Sequence, residues 1–206
     1  MTAEKSLIPK PDPLLIVLSG PSGAGKDAVL NQLKAPGYPL TFITTATTRP
    51  RRSQEVNGKD YHFITLQEFE TMVSNGEFLE YACVYGNWYG VPKKPAKTAL
   101  ESGQDVIIKV DIQGAATIKK LVPEAVLIFL TPPTAEEVAS RLRQRRTESD
   151  IDLDLRLKTA TREMEQLHSF DYVVLNHKGK VDQAADEIKA IMAAEKCRTR
   201  TRHVLL

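Results

Sequence analysis

Cysteine is scarce in this chain. The two present, Cys83 and Cys197, stand far apart, without a C-x-x-C pair and without clustered histidines. That usage gives no zinc-binding pattern and suits a reducing, cytoplasmic setting. Long apolar runs are missing as well: none approaches the ~20 residues of a membrane span, so no membrane contact is expected. The N-terminal MTAEKSLIPKPDP lacks the hydrophobic stretch of a signal peptide, and its prolines read as an extended lead-in to the first strand. Net charge is small too. With 28 Lys and Arg against 26 Asp and Glu, the balance of +2 argues against a dedicated nucleic-acid binder. Repeats and low-complexity segments are absent. What remains, 206 residues with 42% hydrophobic content, suits one globular domain with room for small inserted lobes.

The most informative stretch is 14–33, LLIVLSGPSGAGKDAVLNQL. An apolar, β-branched run from Leu14 to Leu18 predicts a buried parallel strand, and Ala28 to Leu33 predict a helix. Between them lies a glycine-rich turn fitting G-x-x-x-x-G-K-[ST] at every position but the last. Gly20, Pro21, Ser22, Gly23, Ala24 and Gly25 are candidates to wrap backbone N–H groups around phosphate oxygens, because glycine leaves no side chain in the way. The helix directs its positive end at the same anions. Lys26 adds a mobile charge for the outer phosphates. A nucleoside phosphate is the expected ligand.

Further along, Thr41–Thr47 is β-branched and predicts one short strand. A polar, basic stretch follows, with a turn at Asn57-Gly58, then a strand over Tyr61–Thr65 and a helix over Leu66–Asn75. Strands at Phe78–Tyr85 and Trp88–Val91, turned at Gly86-Asn87, complete an α+β insertion over 45–92. Lys94–Ser102 predicts a returning helix. Strand and helix then alternate: Asp105–Val110, Gln113–Leu121, Ala125–Leu130, helices over Glu136–Arg146 and Leu153–His168, a strand at Tyr172–Leu175 and a closing helix over Val181–Cys197. Such alternation calls for a parallel sheet with right-handed crossovers. The basic tail from Lys196 to His203 reads as a frayed end.

The segment Thr45-Ala46-Thr47-Thr48-Arg49-Pro50-Arg51-Arg52, followed by Glu55-Val56-Asn57-Gly58-Lys59-Asp60-Tyr61, resembles the monophosphate-binding lobe of guanylate kinases. Gly76-Glu77-Phe78-Leu79-Glu80-Tyr81, Gly86-Asn87-Trp88-Tyr89-Gly90 and Asp111-Ile112-Gln113-Gly114 resemble further motifs of that family, in its order, over about 14–192. The resemblance implies an α/β, P-loop three-layer fold: a parallel core sheet (14–44, 93–132 and 170–197), an inserted lobe (45–92) and a helical lid (about 133–158), with tails at 1–13 and 198–206. It implies phosphoryl transfer from ATP to GMP with Mg²⁺.

The chemistry of the residues agrees. A monophosphate dianion suits the planar multi-donor forks of Arg49 and Arg52. Tyr61 and Tyr89 can donate phenolic hydrogen bonds to it. A carboxylate at Glu80 can accept from both N1–H and N2–H₂ of guanine, a pairing adenine cannot offer, and Thr45 can donate to O6. Asp111 belongs to the same implied pocket. Arg141, Arg145 and Arg156 resemble the family's lid arginines, which neutralise charge on the transferring group. Asn176, after the last core strand, is implied on the ATP side.

Three positions depart from the family pattern. Asp27 replaces the hydroxyl after the loop lysine, Lys109 stands where an acid is usual, and Val91 replaces a hydroxyl near the monophosphate pocket. Asp27 and Lys109 fall near the ends of adjacent parallel strands, so an ion pair beside the β-phosphate is expected. Asp27 remains the candidate protein ligand for Mg²⁺, because carboxylate oxygen suits that ion. Expected partners are ATP and GMP, with neither nucleic acid nor membrane, in a monomer or homodimer. Two alternatives stay open: a guanylate-kinase-like protein-interaction module, and a P-loop kinase acting on another nucleotide.

Overall fold

Leu15–Ser19 form the first strand, β1, and all five residues are buried. The computed structural model describes residues 11–34, 39–84, 86–144, 159 and 161–206. In these residues β1 is the middle of a five-stranded sheet with β2 (Leu40–Phe42), β7 (Asp105–Lys109), β8 (Val126–Thr131) and β9 (Tyr172–Leu175), in the order β2-β7-β1-β8-β9. Every pairing is parallel. Helices cover both faces, which is why these strands are apolar throughout rather than alternating. Leu15, Val17, Val106, Ile108 and Leu127 face α3 (Lys93–Glu101) and α4 (Ile112–Leu121). Leu14, Ile16, Leu18, Ile107 and Ile128 face α1 (Lys26–Leu33) and α6 (Val181–Lys196). Each fully buried aliphatic side chain contributes roughly 1.5–3 kcal/mol, so β1 anchors the domain.

The register decides where chemistry can happen. Leu18 of β1 lies opposite Lys109 of β7, and Thr131 of β8 opposite Leu175 of β9. The carboxyl ends of these strands therefore bring the glycine-rich loop, Lys109 to Asp111, and Asn176 to one edge. Open parallel sheets bind ligands at that edge.

A second sheet, β4-β3-β6-β5, carries most of the insertion: β3 (Ala46–Thr47), β4 (His62–Phe63), β5 (Phe78–Val84) and β6 (Asn87–Pro92). Helix α2 (Leu66–Ser74) starts with a capping box, Thr65 accepting from the Glu68 N–H while Glu68 accepts from Thr65. Its Phe69 is buried and stacks on Phe78 at 4.6 Å between ring centroids, closing a small separate core. Between α4 and the 3-10 turn at Gln166–Ser169 lie β8 and α5 (Ala135–Gln144).

Two expectations are corrected. Thr41–Thr47 is not one strand: β2 belongs to the core sheet and β3 to the insertion sheet, and the chain crosses between them at Ile43, whose N–H still bonds Ile107 O. The β-branched run carries no local sign of that crossing. The basic tail is not frayed either. Arg202 Nε donates to Glu195 Oε2 at 2.6 Å, with its side chain only 10% exposed, and Val204 and Leu206 pack on the core. Burial alone would push the Glu195 carboxyl up, but hydrogen bonds from Arg202 and Tyr172 overturn that and hold it at about 2.

Candidate active site

The glycine-rich loop is built by close approach. Gly20 has φ +139°, and a Cβ there would stand 2.0 Å from Leu130 O. Gly25 caps α1 at φ +87°, where a Cβ would meet Asn176 Nδ2 at 2.4 Å. The N-cap of α1 is Gly25, which has no side chain with which to cap the first turn. Asn176 Nδ2 donates to Ala24 O at 2.8 Å, so it contacts the loop itself, and its buried Oδ1 has no partner among the described residues. Lys26 Nζ bends back to Gly20 O at 2.5 Å and Pro21 O at 3.2 Å.

Arg141, on α5, reaches the same loop. Its Nη1 donates to Ala24 O at 3.3 Å, and its Nη2 to Asn176 O and Glu137 Oε1, each at 2.5 Å. Arg145 and Arg156 lie outside the described residues.

The second half of the site comes from the insertion. Arg49 clasps Glu55 through Nη2 at 2.7 and 2.9 Å, and its guanidinium lies 5.6 Å from the Tyr61 ring centroid. Burial lowers the Arg49 pKa, but Glu55 and Tyr89 outweigh it and the net shift is upward. Tyr61 and Tyr89 meet edge to face at 6.0 Å. Arg52 is exposed; its backbone N–H donates to Glu55 Oε2 at 2.9 Å. Thr45 is buried, with Oγ1 3.4 Å from Lys109 O.

Glu80, on β5, is only 5% exposed, and its Oε2 has no hydrogen-bond partner among the described residues. Burial, and secondarily the Asp111 charge, push its carboxyl up to about 8. Gly114 makes room for it, since a Cβ there would stand 2.8 Å from Glu80 Cδ. Asp111 serves as N-cap of α4, accepting from Gly114 N–H at 2.7 Å. Val91 is fully buried in the core cluster.

Lys109 joins the halves. Its Nζ donates to Asp27 Oδ1 at 2.5 Å, the ion pair expected from the two substitutions, and also to Tyr61 Oη at 2.8 Å.

Sequence reasoning missed two carboxylates here. Glu55 fills the Arg49 fork, and only its place in the quoted motif pointed to it. Glu163, from helical residues 161–165, faces the glycine-rich loop. Burial raises its pKa, the Lys26 ammonium and the Ser22 N–H lower it, and the net shift is upward. No local pattern marks Glu163, because its neighbours come from the other end of the chain.

Comparison with known proteins decides the family. The guanylate kinase family model matches residues 13–195. The chain is 42% identical over 203 residues to guanylate kinase 2, chloroplastic/mitochondrial, of Oryza sativa subsp. japonica, spanning 98% of this chain and 71% of that protein. It is 44% identical over 185 residues to the guanylate kinase of Caldanaerobacter subterraneus subsp. tengcongensis, spanning 90% and 89%. The crystal structure of guanylate kinase from Anaplasma phagocytophilum matches with a TM-score of 0.74 at 34% identity, over 92% of this chain and 89% of that one.

The chain belongs to the guanylate kinase family.

Guanylate kinases are ATP-dependent, which implies a divalent metal carried with the nucleotide. The residues here fit that ion modestly. Asp27 offers a hard oxygen at the first turn of α1, with its side chain 64% exposed and one oxygen shared with Lys109. Among the described residues no cluster of three or more acidic, His or Cys side chains could hold a metal alone. The nucleotide phosphates would supply the remaining oxygens. No helix among the described residues is long and apolar enough to cross a membrane.

Proposed function

We propose that this chain transfers the terminal phosphoryl group of ATP to GMP, giving ADP and GDP with Mg²⁺, in a cytoplasmic setting. One observation carries the reading: a glycine-capped helix N-terminus behind a glycine-rich loop and an arginine–tyrosine pocket share Lys109 at one sheet edge. The loop amides and Lys26 hold the donor phosphates, and Arg141 braces the loop from α5. Arg49, Arg52, Tyr61 and Tyr89 hold the acceptor phosphate. Glu80 accepts from N1–H and N2–H₂ of guanine, Thr45 donates to O6, and Asp111 orders the α4 end of that pocket. Asn176 supports the loop.

The acceptor phosphate oxygen is already nucleophilic at neutral pH, so no side chain need act as general base. These residues instead align the two anions and offset charge on the transferring group. Bound Mg²⁺, with Asp27 as its protein ligand, would screen the donor phosphates and polarise the transferring group. Arg145 and Arg156 complete the charge screen on the family's pattern.

A coupled assay across nucleoside monophosphate acceptors tests the proposal. Rapid turnover with GMP and slow turnover with AMP and UMP is expected. Strong turnover with AMP or UMP but not GMP refutes the guanine assignment, and binding of GMP without turnover favours an interaction module.

A further inference from the structure

We propose that Lys109 is a positioning residue that couples the two nucleotide halves, so that a change in charge at Asp27 alters GMP binding through Tyr61. The proposal rests on reading the Tyr61 side as the GMP pocket.

Lys109 ends β7, and its backbone lies opposite Leu18 of β1, two residues before the glycine-rich loop. Its side chain is 14% exposed, so water supplies little of the solvation an ammonium requires. Two groups supply it instead. Asp27 Oδ1 accepts at 2.5 Å from the first turn of α1, and Tyr61 Oη accepts at 2.8 Å from the insertion. The ammonium also lies 4.3 Å from the Tyr61 ring centroid. Burial lowers the Lys109 pKa, Tyr61 and Asp27 raise it, and the net direction is upward.

The path continues on the acceptor side. The Tyr61 ring meets Tyr89 edge-on at 6.0 Å and lies 5.6 Å from the Arg49 guanidinium. Asp27, Lys109, Tyr61 and Arg49 thus form one contiguous line from α1 to the arginine–tyrosine pocket. An acid at 109 could not hold this line, because it would repel the Asp27 carboxylate.

One ammonium shared by two acceptors makes their claims on it competitive. When Asp27 holds it strongly, Tyr61 and an incoming phosphate dianion have less of it. Neutralising Asp27 releases the ammonium toward the acceptor side and tightens GMP binding. By linkage, whatever draws on the Asp27 carboxylate from the donor side has the same effect. A cation serving only to fold the protein would show no such cross-site dependence.

The test is GMP binding to the full chain by calorimetry, without ATP or metal, in four proteins: wild type, Asp27→Asn, Lys109→Met and the double variant. Asp27→Asn is expected to tighten GMP by about fivefold when Lys109 is present and by less than about twofold when Met replaces it. An equal effect of Asp27→Asn in both backgrounds overturns the proposal. If Lys109→Met does not fold, as thermal melting will reveal, Asp27→Asn and Tyr61→Phe in the Lys109 background decide the matter. Their effects on the GMP Kd should then depart from additivity by about threefold or more, and strict additivity overturns the coupling. Failure of wild type to bind GMP would instead sink the GMP reading itself.

Discussion

Glu80 offers a quantitative consequence: GMP binding should release a proton. Its carboxyl, 5% exposed and pushed up to about 8, is mostly protonated at pH 7. Only about one-tenth of the protein then carries the carboxylate that guanine's N–H groups require. Ionising it costs about 1.4 kcal/mol at pH 7 and about 2.7 kcal/mol at pH 6, so affinity should fall about tenfold per pH unit below 8. The nucleotide's own phosphate, with a second pKa of about 6, is largely a dianion at pH 7 and adds only a small term.

Calorimetric titrations at pH 7, in buffers of different ionisation enthalpy, read the proton directly. We expect release of about 0.9 proton per GMP from wild type and close to none from Glu80→Gln, which should also bind GMP more weakly. The sign extends to stability. The folded carboxyl titrates above its ordinary 4.5, so the folded protein holds a proton that the unfolded chain gives up. Stability attributable to this group therefore falls as pH rises from about 4.5 to about 8, and Glu80→Gln should melt higher than wild type at pH 8. Proton uptake, or none, on GMP binding to wild type would refute the assignment of Glu80 to the guanine edge.

Other consequences follow from the same geometry. Glu163→Gln removes a carboxylate facing the loop, beside the Lys26 ammonium. Its KM for ATP should fall by a few-fold, because no carboxylate then competes with the nucleotide phosphates for the Lys26 ammonium; steady-state kinetics check this. Gly25→Ala places a Cβ 2.4 Å from Asn176 Nδ2 at φ +87°. It should lower kcat/KM for ATP by about a hundredfold while circular dichroism stays unchanged. Arg202→Met leaves the buried Glu195 carboxylate without its main partner and should destabilise the fold by about 3 kcal/mol in urea. In wild type that carboxyl's pKa lies below its unfolded value, so its contribution is present above pH 4.5 and disappears as pH falls toward 2.

How far the sequence carried depended on whether a signal was local. The glycine-rich loop was legible because Gly20 and Gly25 meet steric demands within a few residues of a buried strand and a helix start. The pairing of Asp27 with Lys109 was legible for a different reason: two charge-changing departures fell at the ends of strands expected to neighbour each other, and β7 does pair with β1. Contacts across the chain were not legible. Nothing in TFITTAT marks the residue at which the chain leaves one sheet for another. Nothing in the basic tail indicates that Arg202 returns to a carboxylate on α6 while Val204 and Leu206 complete the core. The approach of Glu163 to the loop likewise depends on tertiary placement. Arginine-rich stretches most often face solvent, and only burial distinguishes the exceptions.

The central claim is phosphoryl transfer between two nucleotides held at one sheet edge. Phosphorus NMR of the purified protein with ATP, GMP and Mg²⁺ tests it most directly. The claim predicts GDP resonances growing in step with ADP and a constant level of inorganic phosphate. Growth of inorganic phosphate with ADP while GMP persists would contradict it.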